Sequence, residues 1–173
     1  MFIPPVEKYE VGFIQGVKRV NSDCEVLSVT AGSFTDQAKG KEAAVAMIDK
    51  GADIVFHAAG LTGLGAIQAA KEQGVTAIGV DVDQNHVAPE TVITSAEKKI
   101  PQTVFLAVKE VVDGTFEGGT NVYGLQQEAV GISPFHSFDD VVPQAVKDEL
   151  DKAREEILNG EVNIETTRKA IGR

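Results

Sequence analysis

Three short loops carry the side chains whose types suggest chemistry: Ser33-Phe34-Thr35-Asp36, Ala59-Gly60-Leu61-Thr62-Gly63 and Asp81-Val82-Asp83-Gln84. Each follows an apolar run that reads as a strand, and strand ends are where side chains converge on ligands in α/β sheets. Phe34 stands outside any apolar period. It reads either as an aromatic plate for a planar ligand or as a loop aromatic folded over the core edge. Gly60, Gly63 and Gly65 invite a phosphate-loop reading. No Gly-Lys-Ser/Thr follows, however, and the dinucleotide spacing is absent. These glycines then serve a tight strand-to-helix turn, or the close approach of a neutral ligand at Gly60.

Asp81 and Asp83 lie just past a buried apolar run. Such a pair can bind a metal, work as acid and base, or accept hydrogen bonds from sugar hydroxyls. Only His86 is near enough in sequence to add a metal ligand, so no metal site is expected. One well-placed carboxylate suffices for two vicinal hydroxyls, and Asp81, which ends the strand, fits that role; a turn or helix cap is the plainer alternative. Lys98 follows Thr94-Ser95 and could reach the same pocket, although a Lys98-Lys99 pair is commonly a solvated face. His57, His86 and His136 form neither a metal spacing nor a nucleophile–base arrangement, and His57 reads as a core-edge histidine. Cys24 has no close basic neighbour and reads as structural rather than as a nucleophile. No catalytic residue is expected, the chain is not expected to be an enzyme, and no cofactor is implied.

The elements that must position these loops follow from hydrophobic period. After Pro4-Pro5, Val6, Tyr9, Phe13, Val17 and Val20 recur at helical spacing. Glu25–Thr30 alternates as a strand. Residues 37–50 form a helix capped by Thr35 or Ser33 and closed by Gly51. Strand 53–57, helix 63–73, strand Thr76–Val80 and a short strand Thr91–Thr94 come next. Helix 101–113 runs to Gly114; Asn121–Leu125 and Ala129–Ile132 read as a strand pair. Pro143 opens a last helix to about Leu158, and the polar tail after Asn163 is expected to fray. This order predicts an α/β fold with a mostly parallel sheet and right-handed crossovers. Oddly, it opens on a helix with no strand before it.

The bulk properties fit one compact unit. The chain has 173 residues, 43% hydrophobic and 24% charged, with a net charge of −10. A nucleic-acid partner is excluded by the lack of a basic surface. The single cysteine excludes an internal disulfide or a cysteine-based zinc cluster. No apolar run approaches the length of a membrane span, and Met1-Phe2-Ile3-Pro4-Pro5 has no signal-peptide character.

Five short motifs occur in a fixed order: Gly12-Phe13-Ile14-Gln15-Gly16; Gly32 to Asp36; Gly51 to Phe56 with Ala58-Ala59-Gly60; Gly79 to Gln84; and Thr94-Ser95 with Lys98. Together they resemble the basic-membrane-protein family of ABC-transporter substrate-binding lipoproteins, whose members bind purine nucleosides. The resemblance runs from about residue 4 to about residue 165. It implies a Rossmann-like lobe of a type I periplasmic-binding fold, in which two α/β lobes close over a ligand. By that resemblance Phe34 stacks on the base, Gly60 lines the pocket, Asp81 accepts from the ribose hydroxyls and Lys98 completes the polar wall.

A full member of that family is about twice as long, so the chain is expected to be its C-terminal part. The expected division is a ligand-binding lobe over residues 1–165 and a tail over 166–173. Helix 101–113 would pack on the other lobe and here show an apolar face. The opening helix would follow a strand that lies upstream. The implied setting is extracytoplasmic, periplasmic or lipid-anchored in the longer protein, with an ABC permease as partner. Self-association by exchange of elements is a further expectation. The alternatives are a ligand-sensing core of a regulator or receptor and, less favoured, a small α/β enzyme.

Overall fold

A computed structural model describes residues 3–172. Helix α1 (Pro4–Val20) starts on two prolines, whose fixed φ and missing N–H suit the first helical turn. It buries Val11 and Ile14. Helix α2 (Gln37–Ile48) is capped by Asp36, whose side chain accepts the Lys39 N–H at 3.2 Å. The expected caps, Thr35 and Ser33, are displaced from that role. Ser33 Oγ instead accepts the N–H groups of Thr35 and Asp36, tightening the turn one step earlier.

Among the described residues the sheet holds four strands in the order β1 (Ile54–Phe56), β2 (Thr76–Asp81), β3 (Val92–Lys98) and β4 (Val130–Ile132). The first three run parallel, and β4 is antiparallel to β3. Helix α3 (Thr62–Gln73) carries the crossover from β1 to β2 and ends on Gly74, which adopts the left-handed conformation that closes helices. Helix α4 (Ile100–Asp113) ends the same way on Gly114, and α5 (Gln144–Leu158) starts after Pro143.

The core gathers Ala44, Val55, Ala66, Ile67, Ala69, Ala70, Ala77, Ala88 and Val92. Its alanine content sets the layer spacing. A Cβ on Gly40 would sit 1.9 Å from the Thr62 carbonyl oxygen, and one on Gly65 would sit 1.9 Å from that of Gln37. Helices α2 and α3 therefore touch backbone to backbone. Ile67, almost fully buried, contributes on the order of 2–3 kcal/mol of hydrophobic stabilisation.

Four expectations need correction. Glu25–Thr30 is extended but joins no sheet, because the backbone edge that would pair with it is not beside it. A cavity of about 440 Å³ lies between this stretch and β1 instead. Asn121–Leu125 makes no strand; Gly124 accepts the Ala129 N–H and the chain turns through Leu125–Gln127. β3 is longer than Thr91–Thr94 and takes Lys98 into its last position. The tail is fastened rather than frayed. Gln15 exchanges two hydrogen bonds with the Glu165 backbone, and Arg168 is held by Glu7 and Glu10.

Helix α4 shows the apolar face expected of it. Val104, Phe105, Val108, Val111 and Val112 are all more than half exposed. Its N-terminal half is tied to the body through Gln102, which donates to the Gln127 carbonyl.

Candidate functional site

Because β1, β2 and β3 are parallel, their C-terminal ends share one edge of the sheet. Asp81 is the last residue of β2 and has φ of 67°. The Val82 N–H donates to the Val80 carbonyl at 2.8 Å, closing a three-residue turn with Asp81 at its centre. A positive φ in such a turn is strained for a residue with a side chain, and strain of this kind clusters at ligand sites. The turn throws the Asp81 carboxylate off the strand and leaves it half exposed, with 51% of its side chain accessible.

Two residues hold that carboxylate. Lys98 Nζ, at the end of β3, lies 3.0 Å from Asp81 Oδ1. Tyr9 of α1 donates its hydroxyl to the same oxygen at 3.2 Å. The ammonium of Lys98 also sits 4.8 Å from the centre of the Tyr9 ring, within cation–π range. Partial burial, reinforced by the Asp81 charge, pushes the Tyr9 hydroxyl well above the usual phenol range. It therefore remains a donor at physiological pH. The sequence places Tyr9 only within the helical apolar period of α1; that spacing hides the hydroxyl at its tip.

Phe34 and Gly60 form the second pair. Gly60 has φ of 56°, and a Cβ there would lie 3.1 Å from the Phe34 carbonyl oxygen and 3.6 Å from Phe34 Cβ. The two loops are clasped: Thr62 N–H donates to the Phe34 carbonyl at 3.2 Å, and Asp36 N–H donates to Thr62 Oγ1 at 2.9 Å. The structure thus brings Asp81 to Lys98 and Phe34 to Gly60, with both pairs at the same end of the parallel strands.

A buried polar chain supports this edge from below. Gln84 Oε1 accepts the Val80 N–H at 2.8 Å and the His57 Nε2–H at 2.9 Å. The Gln84 N–H donates to Ser95 Oγ, and the Ser95 N–H donates to Ser133 Oγ at 2.8 Å. Side-chain and backbone hydrogen bonds therefore link the ends of β1 and β2 and the middle of β3 to the segment after β4. Gly79 leaves the space for them; a Cβ would meet Ser95 Oγ at 2.4 Å. His57 is buried as expected of a core-edge histidine, and burial, partly offset by the Gln84 bond, holds its pKa below the ordinary imidazole value. Asp83 has different partners from Asp81. Its carboxylate meets His136 Nε2 at 2.7 Å and accepts the Asn85 N–H. Burial raises the Asp83 pKa, but these bonds outweigh it and leave the group below the usual carboxylate range.

Among the described residues, no cluster of three or more His, Cys, Asp or Glu is placed to hold a metal. His86, the sequence neighbour of the acidic pair, bonds the Asp83 carbonyl rather than either carboxylate. Also among the described residues, no helix is long and apolar enough to cross a membrane.

The chain has known relatives in both sequence and fold. The family model described as ABC transporter substrate-binding protein PnrA-like matches residues 1–168. Basic membrane protein A of Borreliella afzelii is 39% identical over 161 residues, covering 91% of this chain and 49% of the relative. Basic membrane protein A of Borreliella burgdorferi is 34% identical over 169 residues, covering 95% of this chain and 49% of the relative. The chain thus spans about half the length of the curated relatives it matches. Among solved structures, an ABC transporter solute-binding protein from Aeropyrum pernix K1 superposes with a TM-score of 0.86 at 25% identity, over 97% of this chain and 56% of that one. A transcriptional activator of the comK gene from Bacillus halodurans superposes with a TM-score of 0.75 at 26% identity, over 83% of this chain and 50% of that one. The parallel-sheet lobe, the match along nearly the whole sequence and the identity to the basic membrane proteins agree: the chain belongs to the Bmp family of PnrA-like ABC-transporter substrate-binding proteins.

Proposed function

We propose that this chain supplies one wall of an interlobe cleft that binds a purine nucleoside, as the solute-binding component of an ABC importer. The observation that carries the reading is the Asp81 carboxylate, held half exposed at the end of β2 by Lys98 and Tyr9. A carboxylate fixed from one side keeps acceptor capacity for two vicinal ribose hydroxyls, and bonds to a charged acceptor are the stronger class. Phe34, backed against Gly60, offers its ring to the base. The neutral surroundings of Gly60 suit an uncharged nucleoside better than a nucleotide. The apolar face of α4 would pack on the second lobe. In the longer protein the setting is extracytoplasmic, in the periplasm or lipid-anchored at the membrane, with a permease as partner.

Calorimetric titration with adenosine, guanosine, inosine and ribose, on this chain and on a two-lobed protein containing it, tests the reading. Weak binding to the lobe and tight nucleoside binding to the two-lobed protein are expected, because half of the enclosing surface lies in the other lobe. Turnover of a nucleoside, or tight binding of ribose but no nucleoside, would overturn it.

A second reading is a ligand-sensing core of a regulator. The superposition with a transcriptional activator supports it. The net charge of −10 requires any DNA contact to come from elsewhere. A binding protein whose ligand changes its affinity for a permease, rather than for DNA, distinguishes the first reading from the second.

A further inference from the structure

Among the described residues, one buried side-chain polar atom has no hydrogen-bond partner: Nδ1 of His57. The residue is 6% exposed. Its neighbours fix where its proton sits. Gln84 Oε1 accepts the Val80 N–H at 2.8 Å, so the His57 nitrogen that meets the same oxygen at 2.9 Å, Nε2, must carry a hydrogen. Nδ1 is then a bare lone pair. It faces Gly63 in the first turn of α3, where a Cβ would lie 1.9 Å away. A lone pair against an α carbon is tolerable; an N–H in that place would be a buried donor with nothing to accept it.

The oxygen that holds the ring also holds the Asp81 edge. Val80, whose N–H it accepts, precedes Asp81, and the Val80 carbonyl accepts the Val82 N–H to close the turn in which Asp81 has φ of 67°. The Gln84 N–H in turn donates to Ser95 Oγ on β3 at 3.0 Å.

We propose that His57 is an acid-release switch for the Asp81 edge, with Gln84 as the positioning residue through which it acts. A proton taken from solvent at Nδ1 expels the ring from its seat against Gly63, frees the Gln84 amide and loosens the turn from Val80 to Val82. Ligand affinity is then full above the folded pKa of His57 and falls below it. The loss of affinity rests on the ligand reading given above; the movement of the turn does not.

The surrounding charges favour the singly protonated ring. Burial lowers its affinity for a second proton and outweighs the Gln84 bond and the Asp81 charge, which raise it. Asp81, on β2, is itself 3.0 Å from the Lys98 ammonium of β3. The first turn of α3 brings Thr62, Gly63 and Leu64, none of them ionisable. α1 brings Tyr9, whose hydroxyl stays protonated, and Glu10, which lines the same cavity as His57 and is bonded to Arg168. Glu25, Lys50 and Asp53 also line that cavity. Asp83 is bonded to His136 and to the Asn85 N–H. Among the described residues no carboxylate bonds the His57 ring, so a second proton is accommodated only once the ring has turned toward water.

Two measurements test the switch. The first is an NMR pH titration of the full 173-residue chain without ligand. The His57 ring signals and the Val80 and Val82 amides should shift together, with one midpoint below the ordinary imidazole value. In His57→Gln, which keeps an amide donor and takes no proton, the two amides should stay still over that range. In Gln84→Met the ring should still titrate, but Val80 should no longer follow it. The second is calorimetry with adenosine on a two-lobed protein containing the chain. Below the midpoint the adenosine Kd should rise by up to about tenfold per pH unit. Heats measured in two buffers of different ionisation enthalpy should show release of up to about one proton per adenosine bound. Neither unsubstituted protein depends on the variants folding. Any of three results would overturn the proposal: Val80 and Val82 unmoved while His57 titrates, the same amide shifts persisting in His57→Gln, or an adenosine Kd independent of pH with no proton released. Failure of adenosine to bind at any pH would overturn the ligand reading instead, and the titration of the chain alone would then decide whether the turn answers to His57.

Discussion

A Cβ placed on Gly63 would lie 1.9 Å from His57 Nδ1, so the imidazole fills the space that any other residue at the start of α3 would need. Neither glycine nor histidine is interchangeable here. Gly63→Ala is expected to cost about 1–3 kcal/mol by overpacking, read as a lower urea midpoint with an unchanged slope. A midpoint equal to that of the unsubstituted chain would mean that the ring moves aside freely.

His57 also gives stability a pH dependence. Its folded pKa is lowered by burial, so below the ordinary imidazole value the unfolded chain binds a proton that the folded chain does not. Stability should therefore fall as pH drops from about 7 through 6.5, by at most about 1.4 kcal/mol per pH unit, and level off below the folded pKa. Asp83, whose folded pKa is also depressed, loses its contribution only in the more acidic carboxylate range. Urea titrations between pH 8 and 5 on the chain and on His57→Gln separate the two; the variant should lack the upper of the two slopes.

Asp81→Ala in a two-lobed protein should weaken nucleoside binding by about 2–3 kcal/mol, because it removes a charged acceptor from buried hydroxyls. Asp81→Gly tests the strain independently. It relieves the positive φ and should equal or exceed Asp81→Ala in stability while binding no better. Calorimetry on the three proteins decides it, and unchanged affinity in both variants would remove Asp81 from the site.

Tyr9→Phe keeps the ring beneath Lys98 and deletes one donor to Asp81. At this partly exposed position a loss of about 0.5–1.5 kcal/mol in nucleoside affinity is expected, with little change in Tm. A larger fall in Tm than in affinity would make the hydroxyl a packing feature of α1.

Much of this edge was legible from residue types. β1, β2 and helices α2 to α5 declared themselves through apolar runs, helical spacing and closing glycines such as Gly74 and Gly114. The Asp81–Lys98 and Phe34–Gly60 pairs lie where strand-end reasoning puts them. The two strands that did not form share one cause. Alternation in Glu25–Thr30 and Asn121–Leu125 says which faces the side chains take, but a strand exists only when a backbone edge lies alongside. Tyr9 escaped because helical spacing reports which side of α1 it occupies and not how far its hydroxyl reaches. The hold of Gln15 and Glu10 on the tail was equally hidden, since it depends on contacts between residues at opposite ends of the chain.

The relay from His57 through Gln84 and Ser95 to Ser133 bears on the thermodynamics of capture. Its hydrogen bonds already fix the backbone at the ends of β1 and β2 and at mid-β3, so little ordering entropy would remain to be lost there on binding the proposed ligand. In the proposed cleft the adjustable parts would be the partly exposed side chains of Asp81 and Lys98, which would trade their mutual ion pair for solute hydroxyls. Selectivity at this edge would then come from the exchange of one salt bridge for a hydrogen-bonded guest over a rigid floor.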